Sequence, residues 1–254
     1  MGRQRPRSDL FRFHEELERF ASVRTPDELE QAFRSTANEL GFDAFVYALR
    51  IPTTLSDARM VVLPGYPERW LAHYFEQAFY ADDPVVAYCR EHVVPIPWHV
   101  LEPRVAESPG AARVMREATD FGLRAGLSMP VHSPFGELGI LSVALDRDSS
   151  ATRREVERAR PFVQLMAAYV HEAVRRVFEL GETGEPSRLT PREQECLRWA
   201  ADGKTSWEIS VLLRVSERTV NFHLNNCMAK LNVSNRQHAI AKAVLEGWIR
   251  PKPF

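Results

Sequence analysis

The amino-acid sequence predicts an α+β protein: an N-terminal α-β-α sandwich with an antiparallel sheet, followed by a small all-α four-helix helix-turn-helix domain. Three observations carry this. Helix-period and strand-like segments mix through residue 179, whereas the pattern from residue 189 onward is purely helical. Between them "LGETGEPSR", residues 180–188, is rich in Gly, Glu, Pro and Ser, has little to bury, and reads as a linker. Helix-start signals then recur at Thr190, Thr205, Ser216 and Ser234. The expected organisation is a domain over 1–179, a linker over 180–188 and a second domain over 189–254.

Each element has its own reason. Residues 9–22 and 26–40 carry amphipathic helix periodicity, and Gly41 closes the second. "FDAFVYALR" and "RMVVL" are rich in aromatic and β-branched residues and read as strands. "ERWLAHYFEQAFY" reads as a helix, and "PVVAYCREH" as a shorter one. "GLSMPVHSPFGELGILSVALD" reads as a hairpin turning near "SPFGE". The run 152–180 gives a long helix with an apolar stripe at Val156, Phe162, Val163, Met166, Val170, Val174 and Val177. That stripe either covers the sheet or, over 153–178, forms a homodimer contact.

In the second domain "TPRE" places Thr190 as N-cap, Pro191 at the first helical position and Glu193 as capping-box partner. "TSWE" repeats the device with Thr205 and Glu208, Ser216 caps the third helix, and "SNRQ" repeats it with Ser234 and Gln237. Gly203 ends the first helix. The second, about 205–213, and the third, about 217–231, are joined by "RVS", a turn short enough for a helix-turn-helix.

Composition narrows the function. The 254 residues are 44% apolar and 26% charged, a globular balance. The sequence offers no apolar run of bilayer length, so no membrane partner is expected. The basic start lacks the apolar core of a secretory signal. Cys89, Cys196 and Cys227 are scattered without metal-ligand spacing, which fits free thiols in a reducing cytoplasm, with no metal and no cofactor. Residues 187–254 hold 11 Lys+Arg against 6 Asp+Glu, a charge of +5, which leaves the rest at −6 of a net −1. A small basic domain beside a larger acidic one points to a polyanion as partner of the small one alone.

The third helix of that domain buries Val220, Leu224, Cys227, Met228 and Leu231 on one stripe. Arg218, Asn221, Phe222 and Asn225 share another face, polar but lightly charged. An asparagine amide can bond bidentately to adenine in the major groove of double-stranded DNA. Arg218, Thr219, Ser216, Lys204, Thr205, Ser206 and Lys230 are candidates to hold phosphates and orient the helix.

"LTPREQECLRWAADGKTSWEISVLLRVSERTVNFHLNNCMAKLNVSNRQHAIAKAVLEGWI" resembles the DNA-binding domain of LuxR-type regulators over its whole length, with Glu193, Leu197 and Gly203 at constant positions of that family. In the first domain Trp70, Tyr74, Asp83, Pro84, Trp98 and Gly126, with Tyr66 and Ser142, have a spacing similar to that of the autoinducer-binding domain of quorum-sensing LuxR-type proteins, over roughly residues 10–175.

The resemblance implies an N-acyl-homoserine lactone as signal ligand. It implies that the Trp70 indole N–H donates to the lactone carbonyl and that Asp83 accepts from the amide N–H. Tyr66 and Ser142 would bond the amide-side carbonyl, Trp98 would pack on the lactone ring, and Tyr74 would line the head-group region. Val46, Ala48, Met60, Val62, Val86, Leu138 and Ile140 would form an apolar sleeve. Met60 and Ile140 would shorten it, favouring a short or medium acyl chain. Such a protein would be a cytoplasmic homodimer that binds palindromic, lux-box-like promoter DNA and works on RNA polymerase.

Rival readings are weaker. Cys89 near His92 or His99 lacks the framing of a nucleophile, so no enzyme is expected. A phosphate-receiving response regulator would need alternating strands and helices. A regulator of a different small molecule would be expected to have changed Trp70, Tyr74 and Asp83.

Overall fold

The structure, a computed structural model, describes residues 6–54, 56–133, 136–180 and 189–249, with side chains from Phe13 onward. These fall into two compact units, one built on the chain up to Leu180 and one on the helices after residue 188. The expected linker lies, apart from Leu180, outside the described residues, as does part of the "SPFGE" turn.

The first unit opens with helices α1 (Pro6–Ser22) and α2 (Pro26–Glu39). Thr25 caps α2 by accepting from the Glu28 N–H, and Gly41 follows it at φ +87. Strands β1 (Ala44–Pro52), β2 (Ala58–Leu63), β3 (Ile96–Pro97), β4 (Ala125–His132) and β5 (Leu138–Leu145) form one sheet in the order β2-β1-β5-β4-β3. The β1–β5, β4–β5 and β3–β4 pairs are antiparallel.

Alternation along the strands assigns the two faces. Phe45, Tyr47, Leu49, Leu141 and Val143 are buried in the core that also holds α1, α2 and the long helix α7 (Ser150–Val177). The opposite face packs against α3 (Glu68–Glu76), α4 (Pro84–Glu91), α5 (Glu102–Glu107) and α6 (Pro109–Asp120). This is the expected sandwich. The α7 stripe belongs to its core: Val156, Val163, Met166, Val170 and Val174 are each at most 1% exposed. At about 1.5–3 kcal/mol per buried aliphatic side chain, this stripe is a main support of the unit. It is not a free surface for a dimer.

Two local expectations need correction. The helix read over 68–80 stops at Glu76, because Ala78 takes a left-handed conformation (φ 52) and a 3-10 turn, Phe79–Ala81, follows. The break turns Phe79 into the aromatic cluster around Trp70, where it is buried. Helix α6 and its neighbours over 98–120 were not anticipated. Yet Ser108 caps α6 by accepting from the Ala111 N–H, with Pro109 at the first helical position, a start signal present in the sequence.

The second unit comprises α8 (Pro191–Ala201), α9 (Ser206–Leu213), α10 (Glu217–Lys230) and α11 (Arg236–Leu245). Thr190–Glu193 and Thr205–Glu208 form complete capping boxes. Ser216 accepts from the Thr219 N–H. The fourth cap is Asn235, not Ser234: its carboxamide accepts from the His238 N–H, so the helix starts one residue later than expected. Val220, Leu224, Cys227 and Leu231 are buried as the stripe predicts, with Met228 packed against them.

Candidate functional site

A cavity of about 110 Å³ lies between the second face of the sheet and helices α3, α4 and α6. Antiparallel register sets Val46 opposite Ser142 and Ala48 opposite Ile140, so these four present one floor. Helix spacing brings Trp70, Leu71, Tyr74 and Phe75 of α3 to the same space, and Val62 lines it from the edge strand.

The polar groups are few and specific. Asp83 is the N-cap of α4: its Oδ1 accepts from the Val85 N–H at 2.7 Å. Its Oδ2 accepts from the Tyr74 hydroxyl at 2.8 Å. Burial pushes the Asp83 carboxyl above the usual carboxylate range, and these hydrogen bonds offset only part of that. The Tyr66 hydroxyl is buried and has no completed hydrogen bond among the described residues. Burial raises its pKa, while the nearby Ser142 hydroxyl pulls the other way. Trp70 is 3% exposed and wedged among Tyr74, Phe79 and Phe121, with ring centroids 5.3–5.9 Å away.

Trp98 closes one end. Its indole N–H donates to the Ser128 hydroxyl at 2.9 Å, and Ser128 Oγ lies 2.7 Å from Ser142 Oγ. Gly126 makes this approach possible, since a Cβ there would stand 2.8 Å from the indole ring and 2.5 Å from the Val143 carbonyl.

Most of the expected ligand residues therefore meet at one cavity: Tyr66, Trp70, Tyr74, Asp83, Trp98 and Ser142, with Val86, Ile140 and Ala48. Leu138 does not. It shares the Ile140 face but pairs with Arg50 and His132 at the far end of the hairpin, beyond the cavity. Met60 does not either; it is 47% exposed on the edge strand and cannot shorten a sleeve. The sequence reading missed Val114, Met115 and Ala118 of α6 and Leu123, which complete the wall. It also missed Ser128. Cys89 is buried, its thiol pushed up to about 12 by desolvation, and so is poorly suited to nucleophilic chemistry.

In the second unit, α10 exposes Arg218, Asn221, Asn225 and Phe222, the last 60% exposed. Ser206 Oγ donates to Asn221 Oδ1 at 2.7 Å and so ties α9 to α10. The Ser216 and Thr219 hydroxyls bond each other at 2.7 Å, and the Thr205 hydroxyl bonds Glu208. Lys204 stands 4.0 Å from Glu208. Lys230 is engaged within the domain: its ammonium donates to Glu193 Oε2 at 2.7 Å, which gives the buried glutamate its counter-charge. The Glu193 carboxyl is held below its usual range by Lys230 and the Thr190 N–H against the opposing effect of burial. Among the described residues there is no cluster of metal-ligating side chains, and no helix is long and apolar enough to cross a membrane.

Residues 25–174 match the family described as autoinducer binding domain. Residues 187–243 match bacterial regulatory proteins, luxR family. The chain is 38% identical over 241 residues to the transcriptional activator protein AhyR of Aeromonas hydrophila, covering 93% of this chain and 92% of that one. It is similar to the crystal structure of Escherichia coli SdiA, at 26% identity and a TM-score of 0.76, covering 95% of this chain and 99% of that one. It is similar also to SdiA in complex with octanoyl-rac-glycerol, at 25% identity and a TM-score of 0.77, covering 99% and 100%.

Proposed function

This chain belongs to the luxR family of quorum-sensing transcriptional regulators, with an autoinducer-binding domain ahead of a helix-turn-helix DNA-binding domain, and from that premise we propose that its signal ligand is an N-acyl-homoserine lactone. The observation that carries the reading is the opposition of polar groups in one apolar cavity. The Tyr66 hydroxyl is buried without a partner beside Ser142, and the Asp83 carboxylate faces the same space. Two hydroxyls suit a carbonyl oxygen, a carboxylate suits an N–H, and the apolar floor and helices suit an acyl chain. Trp70 supplies an indole donor for the lactone carbonyl, and Trp98 a flat wall for the ring.

The protein acts in the cytoplasm as a homodimer on lux-box-like, approximately palindromic DNA. Arg218, Asn221 and Asn225 face the major groove, and Lys204, Thr205, Ser206, Ser216 and Thr219 lie toward the backbone. Trp207, Val211 and Leu212, exposed on α9, offer an apolar surface on which RNA polymerase could be engaged. The family supports a regulator rather than an enzyme. The domain limits proposed are 1–179, 180–188 and 189–254.

A second reading keeps the cavity and changes the head group. SdiA has been solved with octanoyl-rac-glycerol, and a glycerol hydroxyl could donate to Asp83 as an amide N–H would. Production of the protein in the presence of acyl-homoserine lactones, followed by extraction and mass spectrometry, tests both. Recovery of a lactone supports the first reading; folded protein that carries none overturns it, and a recovered monoacylglycerol establishes the second.

A further inference from the structure

The sheet order sets β5 between β1 and β4, so Ser142 has the cavity residue Val46 on one side and Ser128 on the other. Ser128 and Ser142 are direct cross-strand partners. Ser128 is fully buried and outside the cavity lining, and its hydroxyl oxygen touches two groups, the Trp98 indole N–H at 2.9 Å and Ser142 Oγ at 2.7 Å.

Proton counting fixes the direction of this chain. An indole nitrogen only donates, so Ser128 Oγ accepts from Trp98. Ser128 then has one hydroxyl proton to place. Ser142 Oγ is the acceptor available to it among the described residues, and a buried hydroxyl that leaves its proton unbonded is penalised. Ser128 therefore donates to Ser142, and Ser142 must direct its own proton elsewhere. Elsewhere is the cavity side, where the Tyr66 hydroxyl lies close enough to Ser142 for that neighbour to pull its pKa down, yet completes no hydrogen bond among the described residues.

We infer that Ser128, oriented by the Trp98 N–H, is a positioning residue that makes Ser142 a hydrogen-bond donor into the cavity, so that the site selects a ligand with a carbonyl acceptor at that point. This rests on the proposed ligand reading and adds to it. It assigns a task to a side chain that does not touch the ligand, and it gives Trp98 a polar duty besides its ring face. A chain polarised in this way strengthens its last donor, because each hydroxyl that accepts becomes a better donor.

Two measurements on the full-length protein test it, with Ser128→Ala, Ser142→Ala and the double variant. Thermal unfolding without ligand reads the chain itself. The two substitutions should be non-additive, as in a double-mutant cycle across a shared hydrogen bond, and additive losses overturn the inference whatever the ligand is. Titration with an N-acyl-homoserine lactone, and with an N-alkyl analogue lacking the acyl carbonyl, reads the donation. Ser128→Ala should weaken the carbonyl ligand about fivefold to tenfold, the loss expected for one hydrogen bond. It should leave the analogue unchanged and add nothing in the Ser142→Ala background. Equal losses for both ligands, or no loss for the first, overturn it. If the unfolding cycle couples but the wild-type protein binds no lactone, the ligand reading fails and the donation to a ligand carbonyl with it, while the Ser128–Ser142 hydrogen bond stands.

Discussion

Around the cavity, the Tyr66 hydroxyl is buried without a partner and burial disfavours the charge on Asp83. In the C-terminal helices, by contrast, each helix start is closed by its own side chain, at Thr190, Thr205, Ser216 and Asn235. Glu193, the buried carboxylate there, has both a backbone N–H and a lysine. The contrast separates two ways of recognising something. The first unit leaves polar groups inside its core incomplete, and in the proposed reading a ligand would complete them. The second completes its core by itself and exposes the polar residues proposed to meet DNA on a helix capped and packed by its own domain.

The sharpest test of that contrast is Glu193→Ala. It should cost about 3 kcal/mol, through loss of a capping box and of a buried charge pair that leaves Lys230 unpaired. Urea unfolding of the DNA-binding unit would read this, and lactone affinity should not move. Asp83→Ala is the counterpart in the first unit. Loss of a charged acceptor should weaken the ligand about 10- to 100-fold, while the melting of the second unit is unchanged. Asp83→Asn keeps a capping oxygen and so separates the cap from the charge. Calorimetric titration distinguishes the two variants.

The direction of the Asp83 shift adds a pH signature. Its pKa is raised in the ligand-free fold, so stability from its protonated form is present below the unfolded pKa and lost as pH rises through the folded one. If the ligand amide bonds the carboxylate as proposed, affinity should fall on acidification through the same window in which the ligand-free unit gains stability. Parallel melts and titrations between pH 4 and 7 check the opposite trends, and Asp83→Asn should flatten both.

Two smaller effects lie in the second unit. Asn221→Ala should relax preference at one base pair of each half-site by roughly 1–3 kcal/mol if the amide bonds a base bidentately. Ser206 already occupies one side of its carbonyl, so the low end of that range is expected in binding-site selection. Asn235→Ala should cost about 1 kcal/mol and Ser234→Ala close to nothing, because the cap is Asn235. Chemical denaturation resolves this pair.

How much of this was legible depended on the range over which each signal acts. Capping boxes and the Val220–Leu224–Cys227 stripe are local rules of helix geometry, and they were readable to the residue. The cap at Asn235 was missed by one position, since Ser and Asn are adjacent and both cap well. Trp70, Tyr74 and Asp83 were readable through their spacing, similar to that of the autoinducer-binding family, and the structure brings them together on one helix and the next helix's N-cap. Ser128 was not, because its value arises from strand register opposite Ser142 and from an indole thirty residues earlier in the chain. The wall from α6 was missed for the same reason. Val114, Met115 and Ala118 follow a recognisable start at Ser108-Pro109, but which way that helix faces is a tertiary fact. Met60 and Leu138 were placed in the sleeve that the resemblance implies; they share strand faces with Val62 and Ile140, but a strand face does not say where along the strand a cavity ends.

The sparse charge of α10 has a consequence for the thermodynamics of promoter binding. Arg218 is the cation on its outward face, Lys230 being held by Glu193. Association with DNA gains affinity by displacing condensed counterions, and each phosphate neutralised steepens the dependence on salt by about 0.9 in the log–log slope. If α10 displaces so few ions, its own share of the salt dependence should be small, and what salt dependence there is should come from cations elsewhere in the domain, such as Lys204. Doubling the salt would cost α10 only about twofold for each such phosphate contact.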